Sequence, residues 1–321
     1  MTPAARAEQA KKKEGKATLA HRMEFYAMRG TIKALSKLSW DRAGAIGEKL
    51  GELGYRPFRI RKRVVERQIA AAFPELSPSE VVQLARESYR HLGRSSIETA
   101  LLGSIGRDGL LKLVETIEGW DLLEDAMARG KGLILVTGHM GNWELGGAYI
   151  ATRGVPMDAI GRGMANPLFD EWLNAAREEM GIKVVHDSEA VRRTPRSLRD
   201  GRAVGFVADQ GVLGLASTFV PFFGRPAKTP RGAAVFALRF EVPVLFVVAI
   251  RKPNGRFRLV FEPVEIAATG DKDSDVDAIV ARYTQLLEKW VRVAPAQYFW
   301  QHRRWKRQPP DTPPELRDPS A

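Results

Sequence analysis

The chain has 321 residues, 44% of them apolar, enough for one large α/β domain or two small ones. It contains no cysteine, which excludes disulfides, thiolate zinc sites and a cysteine nucleophile, and fits a reducing compartment. Lys and Arg number 50 against 38 Asp and Glu, a formal charge of +12, so an anionic partner is expected: a lipid headgroup surface, a nucleic acid or an acidic carrier protein.

Residues 1–22 are rich in Ala and Lys, carry Lys11-Lys12-Lys13 and lack the apolar stretch of a secretory signal; they read as a disordered basic N-terminus. Residues 23–106 read as a helical region. Within it Ile32, Leu35, Leu38, Ala43, Ile46, Leu50 and Leu53 recur near helical spacing, with Lys33, Lys37, Arg42 and Lys49 between them, as in a basic amphipathic helix or helix pair. That stripe suits either a membrane interface, with its lysines near anionic headgroups, or packing on the core. Arg59, Arg61, Lys62, Arg63 and Arg67 follow at once and add to the membrane reading. Ser77-Pro78-Ser79-Glu80 combines a capping serine, a proline at the first helical position and a glutamate at the third, which predicts a helix to about Leu102.

Residues 107–307 alternate strand and helix. One or two short helices are expected over 108–129, then strands over 133–136, 156–161, 182–185, 203–208, 242–251 and 257–261. Helices are expected over 167–180, 188–200, 232–239 and 275–291. The alternation predicts an α/β domain with a largely parallel central sheet flanked by helices. The longest apolar run, Val242 to Ile250, falls far short of the ~20 residues a spanning helix needs. Residues 308–321 are proline-rich and read as a disordered tail.

The chemistry concentrates after the apolar run Leu133 to Val136, which enters Gly138-His139-Met140-Gly141-Asn142-Trp143-Glu144. His139 falls at a strand-to-helix junction, where open α/β sheets place ligands. Five helical steps rotate side chains by roughly 140°, so a straight helix does not pair His139 with Glu144. Gly138 and Gly141 supply a turn that swings the imidazole back toward Glu144, and a carboxylate there fixes the tautomer and stabilises the imidazolium. The competing reading has His139 bonded to a neighbouring loop and Glu144 complementing the helix dipole. His-x4-Glu is not the His-Glu-x-x-His pattern and no further His or Cys lies nearby, so no metal site is expected.

Further blocks stand beside this one: Gly161-Arg162, Asn166-Pro167-Leu168-Phe169-Asp170, Arg177 and Gly181; Asp209-Gln210, Val220-Pro221-Phe222-Phe223-Gly224, Thr229 and Gly232; and Gln297 to Lys306. With Ala71-Ala72-Phe73-Pro74-Glu75 in the N-terminal part, they resemble the lipid A biosynthesis acyltransferase family, the late lauroyl and myristoyl transferases of Gram-negative envelopes, over most of the chain.

The resemblance implies a membrane-associated O-acyltransferase. His139 would be the general base, oriented by Glu144, deprotonating a hydroxyl of a lipid A precursor that attacks an acyl carrier protein or CoA thioester and takes the acyl chain. No cofactor beyond that co-substrate and no covalent acyl-enzyme are implied. Backbone amides near Gly141 and Asn142, at the helix start, are the expected oxyanion donors. Arg162 is assigned to a phosphate or carrier contact or to the shape of the acceptor site. Asn166 is assigned to the start of the helix containing Pro167. Asp209, with Gln210 beside it at a strand's carboxyl end, is assigned to substrate positioning or to charge balance for Arg162. Related family members imply a lysophospholipid, another glycolipid or an aminolipid as alternative acceptors.

The charged segment from Ile32 to Tyr55 replaces a more apolar anchor. Peripheral or monotopic binding to an anionic membrane, at the cytoplasmic face of the bacterial inner membrane, is the expected location. The cations and tryptophans of the C-terminal block suit an interfacial belt, a nucleic-acid surface or plain packing. No helix-turn-helix or other nucleic-acid reader is apparent, which argues against nucleic acid as the partner.

Overall fold

The computed structural model describes residues 17–211, 214–266 and 269–321. Most of the stretch expected to be a disordered N-terminus lies outside them. Its end does not: Thr18 caps α1 (Leu19–Leu35), its hydroxyl accepting from the His21 amide at 3.1 Å. α2 (Trp40–Tyr55), α3 (Lys62–Ala72) and α4 (Pro78–Leu111) complete the N-terminal layer. The capping box of Ser77 and Glu80 starts α4 as the spacing predicts, and the helix runs beyond Leu102 through a kink at Gly106, whose φ is 65°.

The apolar stripe over Ile32 to Tyr55 is shared between two helices and two environments. Ile32, Leu35 and Ala43 are buried, whereas Ile46, Leu50 and Leu53 are 36%, 50% and 44% exposed. Core packing takes three of the seven stripe residues, and an outward apolar face takes the other four, Leu38 among them. α2 and α4 meet backbone to backbone. A Cβ on Gly51 would lie 2.0 Å from the Tyr89 carbonyl oxygen, and one on Gly93 would lie 2.1 Å from that of Gly47.

The remainder alternates as expected: β1 (Val114–Glu118), α5 (Trp120–Ala128), β2 (Leu133–Thr137), α6 (Trp143–Thr152), β3 (Met157–Gly161), α7 (Pro167–Glu179), β4 (Ile182–His186), α8 (Ala190–Arg199), β5 (Ala203–Val207), β6 (Ser217–Phe222), β7 (Arg225–Pro230), α9 (Gly232–Phe240), β8 (Val244–Arg251), β9 (Phe257–Pro263) and α10 (Lys272–Val293). Seven strands form one sheet in the order β1-β9-β8-β2-β5-β3-β4, parallel throughout except for the β8–β9 pair. The fold is therefore α/β with a mostly parallel sheet flanked by helices.

Two strand regions differ from expectation. β1, placed in a stretch expected to be helical, is a five-residue edge strand, half-buried at all but one position, with no alternation to separate it from a helical turn. β6 and β7 form a separate antiparallel hairpin that carries Pro221, Pro226 and Pro230. Proline argues against a strand in a sheet centre, and a two-stranded ribbon tolerates it because each strand has a free edge.

Alternation along β2 shows where the core sits. Ile134 and Val136 join α9, α10 and the C-terminal tryptophans on one face, while Leu133 and Leu135 join α5 and α6 on the other. Residues 308–321, read from their prolines as a disordered tail, lie instead along the β6–β7 hairpin. Arg225 donates to the Glu315 and Arg317 carbonyls at 2.7 and 2.9 Å, and Arg303 holds Asp318. No described helix is long and apolar enough to cross a membrane.

The α2–α4 contact carries a prediction. Ala favours an isolated helix over Gly by about 1 kcal/mol, but a methyl at position 93 collides with backbone that has no rotamer to give. Gly93→Ala should therefore destabilise the protein by about 1–3 kcal/mol. A thermal midpoint equal to or above wild type would show that the two helices are free to part.

Candidate active site

β2 and β5 are neighbours in a parallel ladder that pairs Leu133 with Ala203 and Thr137 with Val207. The Ala208 amide extends it by one step, donating to the Thr137 carbonyl at 2.9 Å. His139 and Asp209 each lie two residues beyond these strand ends, so the ladder brings them opposite one another. His139 Nδ1 and Asp209 Oδ1 are 2.6 Å apart.

Asp209 is 3% exposed and the imidazole is half-buried. Burial disfavours the imidazolium, yet the Asp209 carboxylate, through its charge and its hydrogen bond, and then Glu144 more than offset this and hold the His139 pKa above its ordinary value. For Asp209 burial acts upward, but His139 and Arg304 bring the carboxyl down to about 2. Trp143 lies edge-on to the imidazole with ring centroids 4.8 Å apart, and Phe299 tilts against it at 5.9 Å.

Glu144, the expected orienting residue, is engaged elsewhere. On the first turn of α6 it takes a two-pronged contact from Arg177 of α7, at 3.0 Å from Nε and 2.5 Å from Nη2. His139 precedes the helix, and its Nδ1 is satisfied across the ladder instead. Glu144 acts on the imidazole only through its charge.

The expected oxyanion donors are also engaged. The Gly141 amide donates to the Gln297 carbonyl at 2.9 Å and the Asn142 amide to that of Ala249 at 3.0 Å. Gly141 sits at φ 60° with no room for a Cβ, which would lie 1.9 Å from the Ala249 carbonyl oxygen. Asn142 is the cap of α6: its Oδ1 accepts from the Leu145 amide at 3.0 Å and its Nδ2 donates to Glu98 at 3.2 Å. These two residues build the turn.

A buried ionic lattice fixes that turn from behind. Glu98, fully buried on α4, accepts from Arg251 and Arg94 at 2.5 and 2.9 Å. His91 contacts the Gly141 carbonyl at 3.0 Å, and burial pushes its imidazole down to about 3, so it is neutral there. Gln297 brackets Arg251, accepting from its amide and donating to its carbonyl.

Arg162 is 68% exposed at the end of β3, its Nε 4.0 Å from Asp187. Charge balance between it and Asp209 is not what the geometry shows: the cations acting on Asp209 are His139 and Arg304. Asn166 opens α7 as expected, accepting from the Leu168 amide at 3.2 Å, and its amide group also donates to the His21 carbonyl of α1 at 3.0 Å. Gln210 lies half-buried next to Asp209.

Several site residues escaped the sequence reading. The C-terminal block folds over the pair: the Phe299 amide donates to the His139 carbonyl at 3.0 Å, and Met140 bridges Tyr298. Burial and then Asp209 push the Tyr298 hydroxyl well above 10, so it stays protonated, and burial brings His302 down to about 4, so it stays neutral. Trp300 and Trp305 are fully buried core side chains, not a stacking platform or an interfacial belt. The block's dense mixture of aromatics and cations was the only signal of this placement.

An apolar cavity lies between α6 and the sheet. Trp143, Glu144 and Arg177 stand at one end, and Met157, Ile182 and Ile150 line the other.

Residues 11–307 match the family model for bacterial lipid A biosynthesis acyltransferases. This chain belongs to that family. It is 28% identical over 286 residues to the lipid A biosynthesis lauroyltransferase of Escherichia coli (strain K12), covering 88% of this chain and 92% of that protein. The palmitoleoyltransferase of the same organism is 28% identical over 82% of this chain and 85% of its own. A phosphatidylinositol mannoside acyltransferase of Mycobacterium tuberculosis (strain ATCC 25618 / H37Rv) is 25% identical over 79% of this chain and 80% of its own.

Two measurements probe this acyltransferase's site without turnover. Asp209→Asn removes the main influence that raises the His139 pKa, so histidine NMR titration should show that pKa falling; an unchanged value would mean the two groups are not coupled. Glu98→Ala leaves Arg251 buried without its carboxylate and should destabilise the fold by about 3–5 kcal/mol in denaturant unfolding, whereas a loss under about 1 kcal/mol would mark the lattice as solvated.

Proposed function

We propose that this acyltransferase moves a fatty acyl chain from an acyl carrier protein or CoA thioester onto a hydroxyl of a lipid A precursor, with His139 as general base. The observation that carries this reading is the 2.6 Å contact between His139 Nδ1 and a buried carboxylate, beside the end of an apolar cavity. Asp209 fixes the tautomer and leaves Nε2 to take the hydroxyl proton. The oxygen attacks the thioester carbon, the carbon–sulfur bond breaks, and the imidazolium returns the proton to the leaving thiolate.

The oxyanion falls to the first-turn amides of α6 that the Asn142 cap leaves over, those of Trp143 and Glu144. Arg177 and the exposed Arg162 supply cations for acceptor phosphates. The basic charge of the chain suits an acidic carrier protein.

Peripheral membrane binding is supported by the outer face of α1, where Leu19, Met23 and Tyr26 are 75%, 67% and 65% exposed and Arg22 and Arg29 lie close in sequence. Asn166 ties this helix to the loop that follows Arg162. An inner-membrane enzyme facing the cytoplasm follows from that reading. A different glycolipid acceptor is the second reading, favoured by the similarity to a phosphatidylinositol mannoside acyltransferase.

The test is transfer from acyl carrier protein thioester to a tetra-acylated lipid A precursor in anionic vesicles. His139→Ala should lower kcat by at least about 10²–10⁴-fold, and Asp209→Asn should lower it while moving the acid limb of the pH profile to lower pH, because the base then stays neutral in more acidic solution. Undiminished transfer in His139→Ala would sink the assignment of the base. Transfer to a mannosylated or other glycolipid with none to the lipid A precursor would replace the acceptor.

A further inference from the structure

The cavity beside the catalytic pair has a definite floor. In the parallel register Leu135, Gly205, Ala159 and Val184 form one cross-strand row, and Leu133, Ala203, Met157 and Ile182 form the next row down, away from His139. The upper of these two rows is opened by small residues, Gly205 and Ala159 on the sheet, and Gly146 and Gly147 line the same cavity from α6. A glycine inside a central strand costs roughly 0.5–1 kcal/mol relative to alanine and marks a place where something approaches the backbone closely.

Below these openings stands the side chain of Met157. A Cβ on Gly205 would lie 2.8 Å from its methyl carbon, and one on Gly147 would lie 3.7 Å from the same atom and 3.6 Å from Ile182 Cδ1. The Met157 methyl thus sits where the two glycine openings converge. Methionine has three rotatable bonds and fills irregular gaps, so its tip can yield to a chain end by small steps. The Met157 methyl stands level with Gly205 and so with Ala159; from Gly161, at the mouth, that is two residues of β3, a depth of roughly 7 Å at about 3.3 Å per residue and so room for about five methylenes of an extended chain above the floor.

We propose that Met157 is the floor that sets how long an acyl chain this enzyme accepts, with Gly147 and Gly205 keeping the shaft above it open. The inference rests on the acyl-transfer reading for its substrate and on the sheet register for its geometry. Removing the Met157 side chain beyond Cβ joins new space to the bottom of the shaft. A methyl at position 147 meets nothing closer than 3.6 Å and narrows the shaft without disturbing the fold.

The experiment uses the purified full-length protein with two readouts. Binding of saturated fatty acids that differ by two carbons is followed by fluorescence displacement, and transfer is followed with the corresponding acyl carrier protein thioesters. Met157→Ala should move the longest chain bound and the preferred donor up by about two to four carbons, raising kcat/KM for the longer donor about tenfold relative to the wild-type optimum. Gly147→Ala should move both toward shorter chains. A loss equal for every chain length in Met157→Ala, or an unchanged length profile in Gly147→Ala, would overturn the proposal; should Met157→Ala fail to fold, Gly147→Ala decides. Wild-type protein that binds fatty acids with a length limit moved by these substitutions, yet transfers none of them, would keep the floor and remove the acyl-transfer reading.

Discussion

The parallel ladder between β2 and β5 is the constraint on which the site depends. Five register pairs hold the two strands in step, and the pair His139–Asp209 is the continuation of that step past the last one. A hydrogen bond between two loop side chains is worth about 1 kcal/mol and does not by itself order the loops that carry it. Here the order is already present in the backbone, at the centre of a seven-stranded sheet, so the contact inherits its geometry. The same strand ends are closed from outside the sheet, where the Gly141 amide and the His139 carbonyl bond to Gln297 and Phe299. Residues far apart in the chain thus meet on a single turn.

Buried charge surrounds that turn on two sides and serves different ends. Asp209 is almost without solvent exposure, yet it stays ionised because His139 and Arg304 oppose the burial that would neutralise it. Arg304 is itself buried, held by the Lys228 carbonyl and the Thr229 hydroxyl. On the other side Glu98, Arg251 and Arg94 form an ionic set that reaches the turn through the Asn142 side chain and, by way of Gln297, through the Gly141 amide. The first set controls protonation of the imidazole. The second holds the helix cap, and with it the start of α6, at a fixed distance from the strand.

Much of the architecture was legible because its signals are local. The apolar run before His139, the capping residues at Ser77 and Glu80 and the helix opening at Asn166 each declare an element within a few residues, and the structure has all three. The partner of His139 was not legible, for a reason of range. Asp209 was marked as a residue at a strand's carboxyl end, as was His139, but β3 and β4 separate their strands in the chain and not in the sheet. Strand adjacency is a long-range property that periodicity does not carry. Glu144 drew the pairing because it was near in sequence, while its actual partner, Arg177, lies 33 residues away on another helix. Once β2 is known to lie beside β5, the equal offset of His139 and Asp209 from their strand ends is enough to pair them.

The alternation of a strand ties the His139–Asp209 pair to the cavity. Side chains repeat with a period of two, so Leu135, Thr137 and His139 share one parity on β2, and Gly205, Val207 and Asp209 share one on β5. The first two of each set line the apolar cavity under α6, and the third of each forms the hydrogen-bonded pair above it. The opposite parity, Ile134 and Val136, faces α9 and α10 and is fully packed. A register slip of one residue would therefore exchange the faces, putting the cavity-lining residues into the solid core and the imidazole away from its carboxylate. The apolar cavity and the His139–Asp209 contact above it are, on this geometry, two consequences of one register.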